Sequence, residues 1–484
     1  MKKFIFPLFL AFWGFSANAQ WISGGNGQTY TFGDIAEVSN GAVISVSDNN
    51  YKVLQDITIS VNDVLHFDET LQTVTIGDDI LITVQGSITS AERNDKALLT
   101  GISEENPNGH FNFIIEDAIV ESNVKNIIFE NGNGFKLNDS PAIIDNCEFR
   151  YFEKDFSTSV IHLFNSHPTI KNCYIHNNQG PAISSGANIQ CSPKIINNVL
   201  YNNVLSNTNT PQINLGPGHN DTVYIVGNRI EGVASTMSGG IAIANLMNIG
   251  NTKAVIAHNT IINNRYGYTQ NGPNVESFIY NNIFKDNNLE VNPMNGGSGI
   301  SIYGSDPTCK ATIRNNVITG NLWGITAIYY HTIDLGTAED HGNNSFFDNG
   351  NNGETYALYN NANNDISAIG NYWGSNDPDF AETVIFHQPD QSNLGLVTYQ
   401  PTSEIHPIIR SFSILAANNP SISEDILGNI NEEENTISIN LPSGISPAGL
   451  IPTYTTDLGV SCTPESGTEM DFSAPVTISL TTPH

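Results

Sequence analysis

Tyr303, Tyr329, Tyr330, His331 and Tyr359 stand on apolar stretches that follow a glycine in the later part of the chain. Rings in outward register on a strand present flat faces on which sugar rings stack, so these residues would line an aromatic groove that binds polysaccharide. Inward or loop-filling positions account for them equally well, because tyrosine is intermediate in burial. A second group, Asn376, Asp377 and Asp379, offers oxygen ligands in one loop, as calcium prefers. A helix-end turn explains the same three residues, and calcium is the one cofactor the sequence suggests. His331 with Asp334, and Asp340 with His341, lack a third ligand at zinc spacing.

The elements that position these residues are written as a repeat. Ten times between residues 124 and 376 the chain places an apolar residue, a spacer, two positions rich in asparagine, a spacer and a second apolar residue, as in Ile195-Ile196-Asn197-Asn198-Val199-Leu200 and Ile313-Arg314-Asn315-Asn316-Val317-Ile318. Copies begin at Val124, Ile144, Ile170, Ile195, Ile225, Ile256, Ile279, Ile313, His341 and Ala368, spaced by 20 to 34 residues, the range of stacked coils. Residues five apart on a straight strand face opposite sides, so two inward residues at positions one and six require a bend between them. Asparagine tolerates the left-handed backbone of a sharp corner, and its amide bonds to the same group one coil away. Position four is occupied by Asn198, Asn228, Asn259, Asn282, Asn316, Asn344 and Asn371, which predicts a ladder through seven coils. Strands such as Gly240-Ile241-Ala242-Ile243 and Gly299-Ile300-Ser301-Ile302 complete each coil. Three short strands per turn describe an all-β fold, a right-handed parallel β-helix. Neither a leucine consensus nor a Trp-Asp signature supports a leucine-rich repeat or a propeller.

Composition bounds the remaining choices. The 484 residues carry 18 Lys+Arg against 48 Asp+Glu, a formal net charge of -30, so a nucleic-acid partner is excluded by repulsion over most of the surface. Lys2 and Lys3, the apolar run from Phe4 to Phe15 and the small-x-small site Ala17-Asn18-Ala19 read as an export signal cleaved near Ala19. That run is too short to span a bilayer, and the mature chain has no transmembrane segment. Five cysteines fit an exported protein without fixing its bridges. Cys147 and Cys173 take the same position in consecutive repeats, where stacked apolar rungs or a disulfide both fit, since adjacent strands lie about 4.8 Å apart.

Ser166-His167-Pro168-Thr169-Ile170-Lys171-Asn172-Cys173 and Cys191-Ser192-Pro193-Lys194-Ile195-Ile196-Asn197-Asn198 resemble the coil repeat of secreted bacterial, pectin-lyase-like right-handed β-helix proteins. Asn371-Tyr372-Trp373-Gly374 and the segment from Leu394 to Pro401 are similar to the way such helices end. The resemblance covers roughly residues 40 to 406 and implies polysaccharide as the ligand class without fixing a reaction, because the fold hosts lyases, hydrolases, epimerases, adhesins and tailspikes. A lyase of that family needs a base beside a uronate carboxylate. Lys136, Lys171 and Arg314 take outward positions, where single basic residues are usually just solvated, and the nearest fragments of a hydrolase signature are Gly218-His219-Asn220 and His341-Gly342-Asn343. Catalytic residues stay unassigned.

The chain divides into a signal peptide (1–19), a β-helix (20–406) and a C-terminal module (407–484). Within the β-helix, residues 20–123 hold a cap, sought at Tyr30 to Val38, and the first coils, and residues 124–376 hold the asparagine coils. The last module shows alternating runs such as Thr436-Ile437-Ser438-Ile439-Asn440-Leu441 between Pro and Gly turns, which suggests a small β-sandwich. It resembles immunoglobulin-like modules of secreted Bacteroidetes-type proteins, and ends at His484 either as a variant or as a truncated copy. The expectation is a monomeric secreted or cell-surface protein that binds polysaccharide or mediates adhesion. The alternative is a polysaccharide lyase or glycoside hydrolase acting on an acidic glycan.

Overall fold

The computed structural model describes residues 20–101, 111–153, 159–292, 295–351 and 354–482. The export signal lies outside these residues. From Trp21 to Thr398 the chain winds through strands that, apart from the antiparallel hairpin Val43–Ser47 with Asn50–Val53, pair in parallel with their counterparts one coil away, forming a parallel β-helix with three strand faces. The coil at the centre of the stack shows the pattern. Val223–Val226 lies on the first face, Arg229–Glu231 on the second and Gly239–Ala244 on the third.

Register turns the sequence repeat into continuous aliphatic columns. On the first face Val124, Ile144, Ile170, Ile195, Ile225, Ile256, Ile279 and Ile313 stand directly above one another, all fully buried. On the second face the column runs Phe129, Phe149, Ile175, Leu200, Ile230, Ile261, Phe284, Ile318 and Phe346. A side chain in such a column touches like neighbours above and below, so burial is nearly complete although each coil alone has no core. In the early coils the filling is aromatic: Phe113 stacks on Phe135 at 5.2 Å and Phe129 on Phe149 at 5.0 Å.

The corner between the first two faces divides its work between two residues. Position three takes the left-handed conformation in every copy, with φ between 49° and 72° at Asn126, Asn146, Asn172, Asn197, Gly227, His258, Asn281, Asn315, Asn343 and Gly370. Position four turns inward and forms the ladder. Each amide nitrogen of Asn198, Asn228, Asn259, Asn282, Asn316 and Asn344 donates to the Oδ1 of the next asparagine, ending at Asn371, over 2.8 to 3.0 Å. The same Oδ1 also accepts the backbone N–H of the preceding asparagine, so each buried amide is satisfied on several sides.

A second corner, five residues later, repeats the device. Asn131, Tyr151, Asn177, Asn202, Asn263, Asp286, Gly320 and Asp348 all have positive φ. The following residues form another ladder, in which Asn178 donates to Asn203 and Asn264, Asn287 and Asn321 donate in turn up to Asn349. Val233 holds the ladder position in the intervening coil, and Gln212 closes the gap by accepting from Asn203 and donating to Asn264.

His341 departs from the repeat. It is exposed, and the inward position belongs to Leu335, whose carbonyl accepts from Asn371, the ladder asparagine of the next coil, as the carbonyls of Ile170, Ile195, Ile225, Ile256, Ile279 and Ile313 accept from the ladder asparagines that follow them. Residues 336–342 leave the wall as a loop and return at the corner. The glycines that open the third face form a column in which a Cβ on Gly240 or Gly267 would strike the carbonyl of the glycine stacked on it.

At the N-terminal end, helix Phe32–Val38 lays Phe32 and Ile35 over the core, fixed by a Thr31/Asp34 capping box. At the other end, antiparallel pairs follow the coils: Ile409–Ile414 with Pro452–Thr456, Asn429–Asn431 with Thr436–Ser438, and Ser461–Thr463 with Ser479–Thr481. Their own core holds Phe412, Ile414, Leu450, Tyr454 and Met470.

Candidate aromatic surface on the late coils

The outward positions of the third face carry one row through Thr269, Ser301, Thr326, Tyr359 and Phe386. At its C-terminal end the row becomes aromatic. Trp323 stacks on Tyr359 with centroids 4.3 Å apart, and Tyr359 on Phe386 at 4.6 Å with planes 9° apart. Tyr356 stands edge-on to Trp323 and Phe386, at 5.2 and 5.6 Å. The result is a slab of four rings, three of them half-buried and the fourth, Trp323, buried at 5% exposure with its indole N–H bonded to no protein group. Burial raises the Tyr359 and Tyr356 phenols above the ordinary value, and Glu354 adds to the shift in both, so both rings are neutral donors over the physiological range.

The structure separates the five residues singled out from the sequence. Tyr303 lies on the neighbouring outward row, half-buried, with its phenol raised by burial and by nearby Tyr329. Tyr329 and Tyr330 project from the edge of the same face, 66% and 51% exposed. Tyr329 holds a φ of 62°, a conformation that turns the strand as it leaves the face. A Cβ on Gly304 would meet the Tyr330 carbonyl, so only glycine lets these two coils approach there.

His331 is a correction. It points into the coil, 1% exposed, with neither ring nitrogen hydrogen-bonded. Burial lowers its pKa to about 4, with the Asn360 side chain beside it pulling weakly the other way, so the ring is neutral at pH 7. The alternation expected on that stretch fails because Tyr329 breaks the strand's period of two.

The loop at 376–379 is occupied by structural bonds. The Asn376 amide donates to the Ile405 carbonyl and accepts the Ile405 N–H, both at 3.0 Å. Asp377 is the N-cap of the 3-10 helix Pro378–Val384 and accepts from the Asp379 N–H. This is the helix-end turn of the two readings. Among the described residues no group of three or more His, Cys, Asp or Glu side chains is arranged to hold a metal ion.

The basic residues on outward positions are engaged. Lys171 pairs with Asp145 at 3.3 Å, and Arg314, 9% exposed, is held by Asp334 and Asp340 at 2.8 and 3.0 Å. Lys136 stands one rung from His162 on the third face, and His162 Nδ1 lies 3.3 Å from Ser184 Oγ. Burial, aided by Lys136, lowers the His162 pKa. Cys147 and Cys173 are free, buried thiols that occupy the ladder position of their coils.

Trp323, Tyr356 and Phe386 had no sequence signal as a group. They lie before, beyond or outside the glycine-opened runs, and only the strand register brings them onto Tyr359.

Comparison with known proteins adds two partial matches. Residues 414–483 match the family model described as SGBP, N-terminal, and residues 230–380 match a protein family of unknown function, DUF1565. No curated protein matches the chain. Among solved structures, a mutant of the periplasmic alginate epimerase AlgG aligns with a TM-score of 0.45 at 11% identity, over 78% of this chain and 83% of its own. Another AlgG structure gives 0.38 at 12% identity over 78% and 84%. An alginate lyase from Paenibacillus sp. str. FPU-7 gives 0.23 at 14% identity over 78% and 99%.

Proposed function

We propose that this chain is a glycan-binding β-helix protein of the cell exterior, holding polysaccharide on the aromatic slab of its late coils without transforming it. The observation that carries the reading is the row of half-buried rings Tyr356, Tyr359 and Phe386, backed by buried Trp323. Pre-stacked rings lose little freedom when a sugar docks against their outer edges, and the Tyr356 and Tyr359 hydroxyls add hydrogen-bonding groups there. The match of residues 414–483 to the SGBP N-terminal model supports an association with polysaccharide. Retention of the mature protein on affinity gels containing neutral and uronate polysaccharides tests this. Binding should fall at least ten-fold in a Trp323→Ala, Tyr359→Ala double variant, and unchanged retention on every gel would remove the slab from the account.

One observation favours a catalytic reading. His162 and Lys136 sit on consecutive rungs of the third face, and an imidazole kept neutral by burial is able to take a proton. In a lyase or epimerase acting on a uronate, His162 would be the base and Lys136 would hold the carboxylate. Incubation with alginate and polygalacturonate, followed by ultraviolet absorbance for unsaturated products and proton NMR for epimerised residues, separates the readings. Turnover lost in His162→Ala would establish the enzyme.

A further inference from the structure

The second face carries a polar and aromatic surface that none of these roles uses. Four strands, Glu148–Arg150, Tyr174–His176, Val199–Tyr201 and Arg229–Glu231, pair in exact sequence order. Their inward residues are the core column, so their outward residues form two parallel rows. One row reads Glu148, Tyr174, Val199, Arg229, and the other Arg150, His176, Tyr201, Glu231. Charged pairs therefore bracket an aromatic and aliphatic centre. Tyr174 and Val199 are 38% and 39% exposed, a large apolar fraction for the middle of a sheet. Tyr174, Val199, Tyr201, Arg229 and Glu231 line a shallow, open depression of about 390 Å³.

The polar rim is preset. Arg150 donates to Glu130 and Glu148, each at 2.7 Å, and Arg229 donates to Glu231 at 2.6 Å within its own strand. His176 lies flat on Tyr174 at 3.8 Å, with Nε2 3.1 Å from Glu148 and Nδ1 3.0 Å from the Asn177 amide. That pairing assigns the Nε2–H tautomer, with Nδ1 accepting. Burial lowers the His176 pKa while Glu148 pulls it back, so the ring is neutral at pH 7. Three carboxylates then face two guanidiniums, and each guanidinium is already matched to a carboxylate.

We infer that this surface is a second ligand site, distinct from the late-coil slab, and that it takes a neutral sugar residue of a polysaccharide. Tyr201 and the side of Tyr174 that His176 does not cover supply apolar surface for a sugar ring, and the carboxylates of Glu148 and Glu231 keep lone pairs that accept from sugar hydroxyls. A uronate would bring its charge against a rim with one net negative charge and find no unmatched guanidinium to receive it. The selectivity for neutral over acidic glycan follows from this pairing.

Affinity electrophoresis of residues 20–484 in gels containing laminarin, xyloglucan, galactomannan, alginate or polygalacturonate tests the inference. Retardation is expected on at least one neutral gel, and Tyr174→Ala with Tyr201→Ala should weaken that binding at least ten-fold. Glu231→Gln, which keeps the shape, should weaken it by a smaller factor, and circular dichroism of each variant establishes that the fold is retained. Trp323→Ala with Tyr359→Ala should leave a residual neutral-glycan affinity that the second-face variants abolish. The inference is overturned if no neutral gel retards the protein, if the second-face variants bind as the parent does, or if alginate competes as well as the neutral glycan. Loss confined to the Trp323 and Tyr359 variants would leave the late-coil reading standing and remove this one.

Discussion

The coils up to Cys173 and the coils from Asn198 onward turn the same corner with different interiors. In both, position three is left-handed, with φ of 50° at Asn146, 55° at Asn172 and 56° at Asn281. In the later coils position four is an asparagine bonded to its neighbours above and below. In the earlier coils the same position holds Ile127, Cys147 and Cys173, and the interior is filled by stacked phenylalanines. The corner is thus set by the left-handed residue, and the ladder is one of two ways to fill the space behind it. The two ladder types meet at Cys173, whose N–H donates to the Oδ1 of Asn198.

The comparison is broken most severely by removing the filling of the early coils. Phe135 contacts Phe113, Phe129 and Phe149, and Phe135→Ala should cost about 4 kcal/mol, seen as a lower urea midpoint. Asn282→Leu is the matching test in the later coils. It removes the acceptor of the Asn259 N–H and of one Asn259 amide hydrogen, the other staying on the Ile225 carbonyl, and the amide donor to the Ile256 carbonyl; at roughly 1 kcal/mol for each lost bond it should cost about 3 kcal/mol. If instead it cost less than Cys147→Ala, expected at about 1 kcal/mol, the ladder would be incidental to stability.

The later interior also carries a buried imidazole. His331 has a folded pKa of about 4 against about 6.5 when unfolded. The unfolded chain therefore binds more protons between these values, and stability rises with pH across that window. The contribution is complete above pH 6.5 and is lost as pH falls toward 4, a change of roughly 2 to 3 kcal/mol. His331→Leu should flatten the dependence of the urea midpoint on pH between 6.5 and 4.5, and an unchanged slope would place the titration elsewhere.

The repeat made the columns and the first ladder legible, because apolar residues and asparagines recur at fixed offsets. The second corner was written as plainly, in Asn177-Asn178, Asn202-Asn203 and Asn263-Asn264 five residues after each first corner, and needed only the offset to be followed once more. The displaced opening residue at Leu335 was hidden by a loop that restores the spacing at His341. The surfaces were the least readable. Trp323 and Phe386, which make Tyr359 part of a slab, and Val199 and Tyr201, which make Tyr174 part of a depression, lie more than twenty residues away along the chain. Loop length between coils decides which residues meet, and loop length carries no side-chain signal.

The smallest expected effect isolates the corner itself. His258 is the one position-three residue that is neither asparagine nor glycine, yet it holds a φ of 57°. Its side chain is exposed, with the Tyr280 ring edge-on at 5.7 Å and the Asn281 amide at 3.5 Å, so little packing is lost when it is replaced. Asparagine is at ease in the left-handed region, where other side chains are strained by about 1 kcal/mol. His258→Asn should therefore stabilise the protein by about 0.5 kcal/mol, a rise in melting temperature of roughly 1 to 2 °C. The gain should be the same whether the neighbouring ladder residue is Asn259 or Asn259→Ala, because position three sets the turn and position four only fills behind it. A gain that vanished in the Asn259→Ala background would mean that the two residues act as one unit.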